Sequence, residues 1–98
     1  MEKPPDISVI IPAHNSEKYI GRCLEALNKS IFGSFETIVV DDASLDNTAS
    51  IAKDMGASVL ELKHQSGPGP ARNCGLEQAA GEILMFIDSD VLVKPDTL

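Results

Sequence analysis

Apolar residues come in four short runs, Ile7 to Ile11, Thr37 to Val40, Ala57 to Leu60 and Ile83 to Ile87, and the stretches between them carry apolar residues at helical spacing. Runs that recur at intervals of roughly 25 residues, alternating with helical segments, are the pattern of successive βα units. Such units fold as an α/β protein with a Rossmann-like, open and mainly parallel sheet and helices on both faces. The second and fourth runs are continuous rather than alternating, as in strands covered on both sides, so both are expected at the centre of the sheet.

Tyr19, Ile20, Cys23, Leu24 and Leu27 step by three and four residues, which predicts a first helix from about Ser16 to Lys29 with one apolar stripe. Asn15 or Ser16 can cap it. A second helix is expected from about Asp46 to Met55, with Thr48, Ile51, Ala52 and Met55 on one side, capping residues Ser44, Asp46 and Asn47 at its start, and Gly56 at its end. In the third, Pro70 suits a first turn, Ala71, Cys74, Gly75, Gln78 and Ala79 form a small-residue face, and Gly81 is the expected stop.

Charge narrows the partners. Fifteen Asp and Glu against eight Lys and Arg give a formal net charge of −7 with both histidines neutral. Nucleic acid is excluded as the main partner, because phosphate backbones are held by clustered Lys and Arg. An apolar content of 43% suffices for one domain with a core and excludes a disordered chain. No stretch approaches the roughly 20 apolar residues that cross a bilayer, and Met1 to Asp6 has prolines and acids where a signal peptide has an apolar run, so a chain that is not secreted is expected. Cys23 and Cys74 have neither C-x-x-C spacing nor a histidine cluster beside them and read as reduced core thiols. The closing Lys94-Pro95-Asp96-Thr97-Leu98 reads as the first turn of another helix. One turn alone is not stable in water, so residues 1–98 are expected to be the N-terminal part of a larger domain.

In open parallel sheets, ligands bind beyond the carboxyl ends of the strands. There the sequence places Pro12-Ala13-His14-Asn15 after the first run, Asp41-Asp42-Ala43-Ser44 after the second, His64 to Pro70 and then Arg72 after the third, and Asp88-Ser89-Asp90 after the fourth. Two carboxylates one residue apart, Asp88 and Asp90, can meet one Mg²⁺ or Mn²⁺ ion, which takes oxygen ligands and shares them with phosphate; they can equally cap the turn after the strand. With the first strand between the second and fourth, Asp42 and Asp88 stand two strand spacings apart, roughly 10 Å. That spacing lets Asp42 accept a hydrogen bond from a nucleotide base while Asp88 and Asp90 face its diphosphate; the alternative for Asp42 is an N-cap of the second helix. His14 can stack on a base or be a solvated loop residue. Arg72 carries positive charge in the first turn of a helix, where it is disfavoured; a bound anion explains it, and so does an ion pair with one of the acids. Ser66 to Arg72 is not a dinucleotide loop, since Arg72 stands where the third glycine belongs and the segment follows the third run. It reads as a stiff connection into the third helix.

Four segments, Ile7 to Asn15, Glu36 to Thr48, Gly69 to Gly75 and Gly81 to Asp90, resemble in order and spacing the nucleotide-binding half of family 2 glycosyltransferases of the GT-A fold. The resemblance implies an enzyme that transfers a sugar from a nucleotide-diphosphate donor (UDP-, GDP- or dTDP-sugar) to a hydroxyl of a carbohydrate or lipid-linked acceptor, with inversion, in cell wall or polysaccharide synthesis. It implies nucleotide contacts at Pro12, His14, Asn15, Asp42, Arg72 and Asp88, and a Mn²⁺ or Mg²⁺ ion at Asp88 and Asp90, with Asp90 the direct ligand. His14 stands where a tyrosine is common in the family. The family's general base and acceptor pocket fall downstream of residue 98, so no catalytic residue is assigned here and this chain is expected to bind the donor without turnover. The family also implies a cytoplasmic protein, membrane-associated in some relatives.

Three other readings use the same acids. A nucleotidyltransferase shares the architecture, yet it carries a glycine-rich basic loop where Pro12-Ala13-His14-Asn15 stands. A phospho-accepting signalling domain has its acid pair after the first strand, whereas Asp41 and Asp42 follow the second. A non-catalytic binding module is the third. A fourth strand lacking its outer neighbour would leave an apolar edge, from which self-association is expected.

Overall fold

The computed structural model of the chain describes residues 4–30 and 34–88. Its elements are β1 (Ile7–Ala13), α1 (Ile20–Ser30), β2 (Phe35–Asp41), α2 (Thr48–Asp54), β3 (Ser58–Glu61), α3 (Pro68–Gln78) and β4 (Ile83–Phe86). The strands form one sheet in the order β3-β2-β1-β4. Every pairing is parallel: Ile7 faces Phe35 and Ile83 across β1, and Ile38 faces Ser58 across β2. The alternation of apolar runs and helical stripes therefore folds as expected.

The two faces of the sheet divide the apolar residues by strand alternation. Val9, Ile11 and Ala13 of β1 and Val39 of β2 point to one side, where Ile20, Cys23, Leu24 and Leu27 of α1 and Ala52 of α2 cover them. Ile10, Ile38 and Val40 point to the other, against Ala71 of α3, with Cys74, Leu76 and Ala79 packed beside them. Helices thus lie on both faces. The two cysteines are on opposite faces and form no disulfide, in keeping with core thiols.

One expectation about strand position is corrected. Run two is central, but its central neighbour is run one; run four, as β4, is the outer strand of the described sheet. Among the described residues it pairs only with β1, and Ile83, Leu84 and Phe86 remain about half-exposed. A continuous apolar run says that a strand can be buried on both faces, and it does not say where the strand lies.

Helix boundaries shift for local reasons. Asn15 takes a left-handed backbone, φ 49°, and the N–H groups of Tyr19 and Ile20 both donate to the Ser16 carbonyl, so a turn precedes α1, which begins at Ile20 rather than Ser16. Tyr19 consequently leaves the predicted apolar stripe and is exposed. Gly56, at φ 90°, follows α2 as expected. In α3 the helix starts at Pro68, two residues before Pro70, so Arg72 falls in its second turn. Gly75 lets α3 sit directly on Ile10 and Val40. Gly81 is not the helix stop. The helix ends at Gln78 with Ala79 as its cap, and Gly81 is small because the backbone of Ile7 and Ser8 passes beneath it. The buried Ser8 hydroxyl accepts the Gly81 N–H at 2.8 Å and donates to Glu36, which also accepts the Ala80 N–H at 2.7 Å. This polar cluster fastens the α3–β4 turn to the amino end of the sheet. No described helix is long and apolar enough to cross a membrane.

Candidate functional site

At the carboxyl edge the parallel strands bring together Pro12 to Tyr19 after β1, Asp42 to Asn47 after β2, the turn ahead of α3, and Asp88 after β4. The strand order meets the condition set on the sequence, with β1 between β2 and β4, so Asp42 and Asp88 stand on opposite sides of β1. Ser89, Asp90 and the Lys94 to Leu98 turn lie outside the described residues, so the metal role expected of Asp90 has no geometry here.

The paired acids after β2 are compensated one by one. Asp41 and Asp42 are each only 4% exposed. One Asp41 carboxylate oxygen accepts the Ser44 N–H at 3.2 Å. Asp42 accepts the Ser66 N–H on Oδ1 at 2.7 Å and the Gly67 N–H on Oδ2 at 2.8 Å. Its backbone is equally engaged: the N–H donates to the Ala13 carbonyl at 2.7 Å, and the carbonyl meets His14 Nδ1 at 2.6 Å. Asp42 is thus not an N-cap of α2. The carboxylate near that helix start is Asp46, which accepts the Thr48 N–H at 3.0 Å and the Thr48 hydroxyl on Oδ1, and the Glu17 N–H at 3.2 Å on Oδ2. Burial alone would raise the Asp46 carboxyl, but these hydrogen bonds outweigh it and hold the group below its ordinary value.

His14 is held from both sides. A carbonyl oxygen can only accept, so Nδ1 carries the proton that Asp42 receives. Nε2 then accepts from Asn15 Nδ2 at 3.2 Å, and the Asn15 amide is oriented in turn by the Leu45 N–H, which donates to its Oδ1 at 2.8 Å. The Asn15 N–H donates to Ser44 Oγ at 2.8 Å. Asn15 therefore ties the β1–α1 loop to the β2–α2 loop and fixes the His14 ring plane, leaving the ring exposed. Ala43, beside this junction, takes φ 58°, a conformation that costs a residue with a Cβ roughly 1–2 kcal/mol.

Two clefts open between these loops. One, of about 170 Å³, is lined by Pro12, Ala13, His14, Asp42, Gln65, Gly67 and Pro68. The other, of about 330 Å³, is lined by Pro12, His14, Asn15, Ser16, Tyr19, Pro68 and Asp88. Pro12, His14 and Pro68 border both. Arg72 Nη2 stands 3.4 Å from Asp88 Oδ1, so of the two explanations for its placement the ion pair is present, with a carboxylate of the site itself. The Asp88 side chain is 65% exposed, and a pair this open contributes about 0–1 kcal/mol.

Of the expected site residues, Pro12, His14, Asn15, Asp42 and Asp88 line the clefts, and Arg72 reaches them through Asp88. Gln65, Gly67 and Pro68, in the turn ahead of α3, belong to the segment expected after the third run but carry no expected ligand role, being read as a connection, and Tyr19 is expected in a helical stripe. The signal for that turn was Gly67 before a proline, a sequence suited to a positive φ, here 92°, at the entrance of a helix.

A divalent cation of the Mg²⁺ or Mn²⁺ class takes one or two carboxylates and completes its shell with phosphate and water. Asp88 supplies an exposed oxygen donor at the mouth of the larger cleft and fits as one such ligand. Among the described residues no group of three His, Cys, Asp or Glu could hold a metal by itself.

The model of the family described as Glycosyl transferase family 2 matches residues 8–98. The chain is 44% identical, over 98 aligned positions, to the poly(ribitol-phosphate) beta-N-acetylglucosaminyltransferase TarS of Staphylococcus aureus, covering 93% of this chain and 17% of that protein. It is similar to the crystal structure of S. aureus TarS 1-349 in complex with UDP-GlcNAc, with a TM-score of 0.87 and 43% identity over 93% of this chain and 28% of that one. It is similar also to the mannosyltransferase PcManGT from Pyrobaculum calidifontis in complex with GDP-Man and Mn²⁺, with a TM-score of 0.84 and 28% identity over 92% of this chain and 29% of that one. The chain spans less than a third of the length of each.

Proposed function

The chain belongs to glycosyl transferase family 2 and has the sheet of the GT-A type, and from that membership we propose that it is the donor-binding part of an inverting transferase. The donor is a nucleotide-diphosphate sugar and the acceptor a hydroxyl of a carbohydrate or lipid-linked molecule, in cell wall or polysaccharide synthesis. A cytoplasmic setting goes with this reading.

What supports it is the pair of adjoining clefts across β1. The smaller, between His14, Asp42 and Gln65, suits a flat base. The larger runs from the shared wall of Pro12, His14 and Pro68 to Asp88 and suits the ribose and diphosphate. The exposed His14 ring offers a face to the base, and its hydrogen bonds to Asp42 and Asn15 keep that face in place without using a ligand group. Arg72 is near enough to exchange Asp88 for a phosphate oxygen, which would offset charge growing on the leaving diphosphate. A Mn²⁺ or Mg²⁺ ion bound through Asp88 and Asp90 would supply Lewis-acid neutralisation of the same oxygens. Deprotonation of the acceptor is assigned to no residue of this chain, and the reading places that base in the portion of the relatives that the chain does not align with.

Calorimetric titration with uridine, guanosine and thymidine diphosphates, with and without Mn²⁺, tests the proposal. At least one should bind, and more tightly with the metal. A folded sample that binds none of them overturns it.

A further inference from the structure

Among the described residues, Asn15, Ser16, Tyr19 and Asp88 border the larger cleft without bordering the smaller, so they stand at its end away from the base. Three of them are committed. The Asn15 amide is held between His14 and Leu45, the Ser16 hydroxyl donates to the His14 carbonyl at 3.2 Å, and Asp88 faces Arg72. Tyr19 is 51% exposed, and its hydroxyl has no hydrogen-bond partner among the described residues. A phenol carries one O–H to donate. It adds that donor without adding charge, at the end of the cleft where Asp88 supplies a carboxylate.

The backbone fixes where the hydroxyl stands. Asn15, at φ 49°, turns the chain out of β1. The N–H groups of Asn15, Ser16 and Glu17 then donate in succession to Ser44 Oγ at 2.8 Å, Thr48 Oγ1 at 2.8 Å and Asp46 Oδ2 at 3.2 Å. Tyr19 follows with its N–H on the Ser16 carbonyl at 2.9 Å, and its own carbonyl receives the Cys23 N–H at 3.0 Å as α1 begins. A residue anchored in this way gives up little freedom on binding, which favours affinity.

We propose that Tyr19 is a further nucleotide-binding residue: its hydroxyl donates to the phosphate of the nucleotide diphosphate that lies farther from the base. This rests on the reading that the smaller cleft takes the base and the larger the diphosphate. The bond is absent when the ligand ends at its first phosphate, so Tyr19 distinguishes diphosphate from monophosphate and not one base from another.

Tyr19→Phe removes the hydroxyl and keeps the ring, and the melting temperature should not move, because that hydroxyl has no partner among the described residues. Calorimetry in saturating Mn²⁺ should compare the nucleoside monophosphate and diphosphate of whichever base, uracil or guanine, the wild type binds more tightly. The diphosphate should bind the variant roughly tenfold more weakly, the loss expected for a hydrogen bond to a charged group, with the monophosphate unchanged. A loss that is equal on both ligands or larger on the monophosphate, or none on either, would overturn the proposal. Because the chain has one tyrosine, its ring gives one set of NMR signals, and these should move on saturation with the diphosphate. A ring that stays unmoved would overturn the proposal too, whatever the calorimetry. A folded wild type that binds neither ligand would instead remove the reading of the clefts on which the proposal stands.

Discussion

The seat of α3 decides where Arg72 and the turn from Gln65 to Pro68 sit, and two glycines of that helix test it with one chemical change. At Gly75 an added Cβ would lie 2.5 Å from Ile10 Cγ2 and 3.2 Å from Val40 Cγ2, whereas at Gly69 it would meet nothing within 4 Å. Carbon atoms pack at about 3.5–4.0 Å, so the Ile10 methyl is too near by roughly 1 Å. That methyl branches directly from a buried central strand and cannot swing aside as the end of a long side chain would. Overpacking of this kind costs about 1–3 kcal/mol, and the helix preference for alanine over glycine returns about 0.8–1.0 kcal/mol. A 2.5 Å contact on a methyl that cannot move belongs to the upper half of the overpacking range, about 2–3 kcal/mol, so Gly75→Ala is expected to lose roughly 1–2 kcal/mol net, and at about 4–8 °C per kcal/mol for a domain of this size its melting temperature should drop clearly. Gly69→Ala meets no such contact, and in the first turn ahead of Pro70 the alanine preference is offset, so it should change stability by less than Gly75→Ala does. Urea unfolding followed by circular dichroism, with thermal melts alongside, gives both values. A neutral or stabilised Gly75→Ala, or a Gly69→Ala that is as costly, would refute the packing of α3 on Ile10 and Val40.

Three further outcomes follow from other parts of the structure. The Asp46 carboxyl is held below its ordinary value in the folded chain, so its contribution to stability is present above the unfolded pKa and is lost as pH falls through the folded one; Asp46→Asn should be destabilising at pH 7, with melting temperatures converging on the wild type as acidification protonates the folded carboxyl, and a gap that stays constant contradicts this. Asp90→Ala should abolish the Mn²⁺-dependent part of nucleotide affinity in calorimetry, and an unchanged metal dependence removes Asp90 from the site. The outer edge of β4, with Ile83, Leu84 and Phe86 about half-exposed, should make the 98-residue chain self-associate; a monomer at high concentration by light scattering is the contrary result.

The sequence carried the βα alternation because burial by period leaves a direct trace. Val9 and Ile11 face α1 while Ile10 faces α3, and the runs show that both faces are apolar. Strand order leaves a weaker trace: β4 has the apolar content of a central strand and stands at the edge of the described sheet. Site residues were legible where the rule about strand ends applies, hence Pro12, His14, Asn15, Asp42 and Asp88. The partners that hold Asp42 were not, because they are backbone N–H groups of residues 66 and 67, brought to it by the fold and identical in every amino acid but proline. Tyr19 was misplaced for the opposite reason: its apolar ring fits a helical stripe, and only the left-handed turn at Asn15 moves it to the cleft.

The central claim is that a nucleotide diphosphate lies across β1 at the carboxyl edge of the sheet. Chemical-shift mapping of the labelled chain during titration with uridine or guanosine diphosphate and Mg²⁺ tests it most directly. Shifts should concentrate at His14, Asn15, the Gln65 to Gly67 amides, Arg72 and Asp88, with the amino-end cluster of Ser8, Glu36 and Gly81 unmoved. Saturable binding whose shifts fall on that amino end, or on the outer surfaces of α1 and α2, would contradict the account.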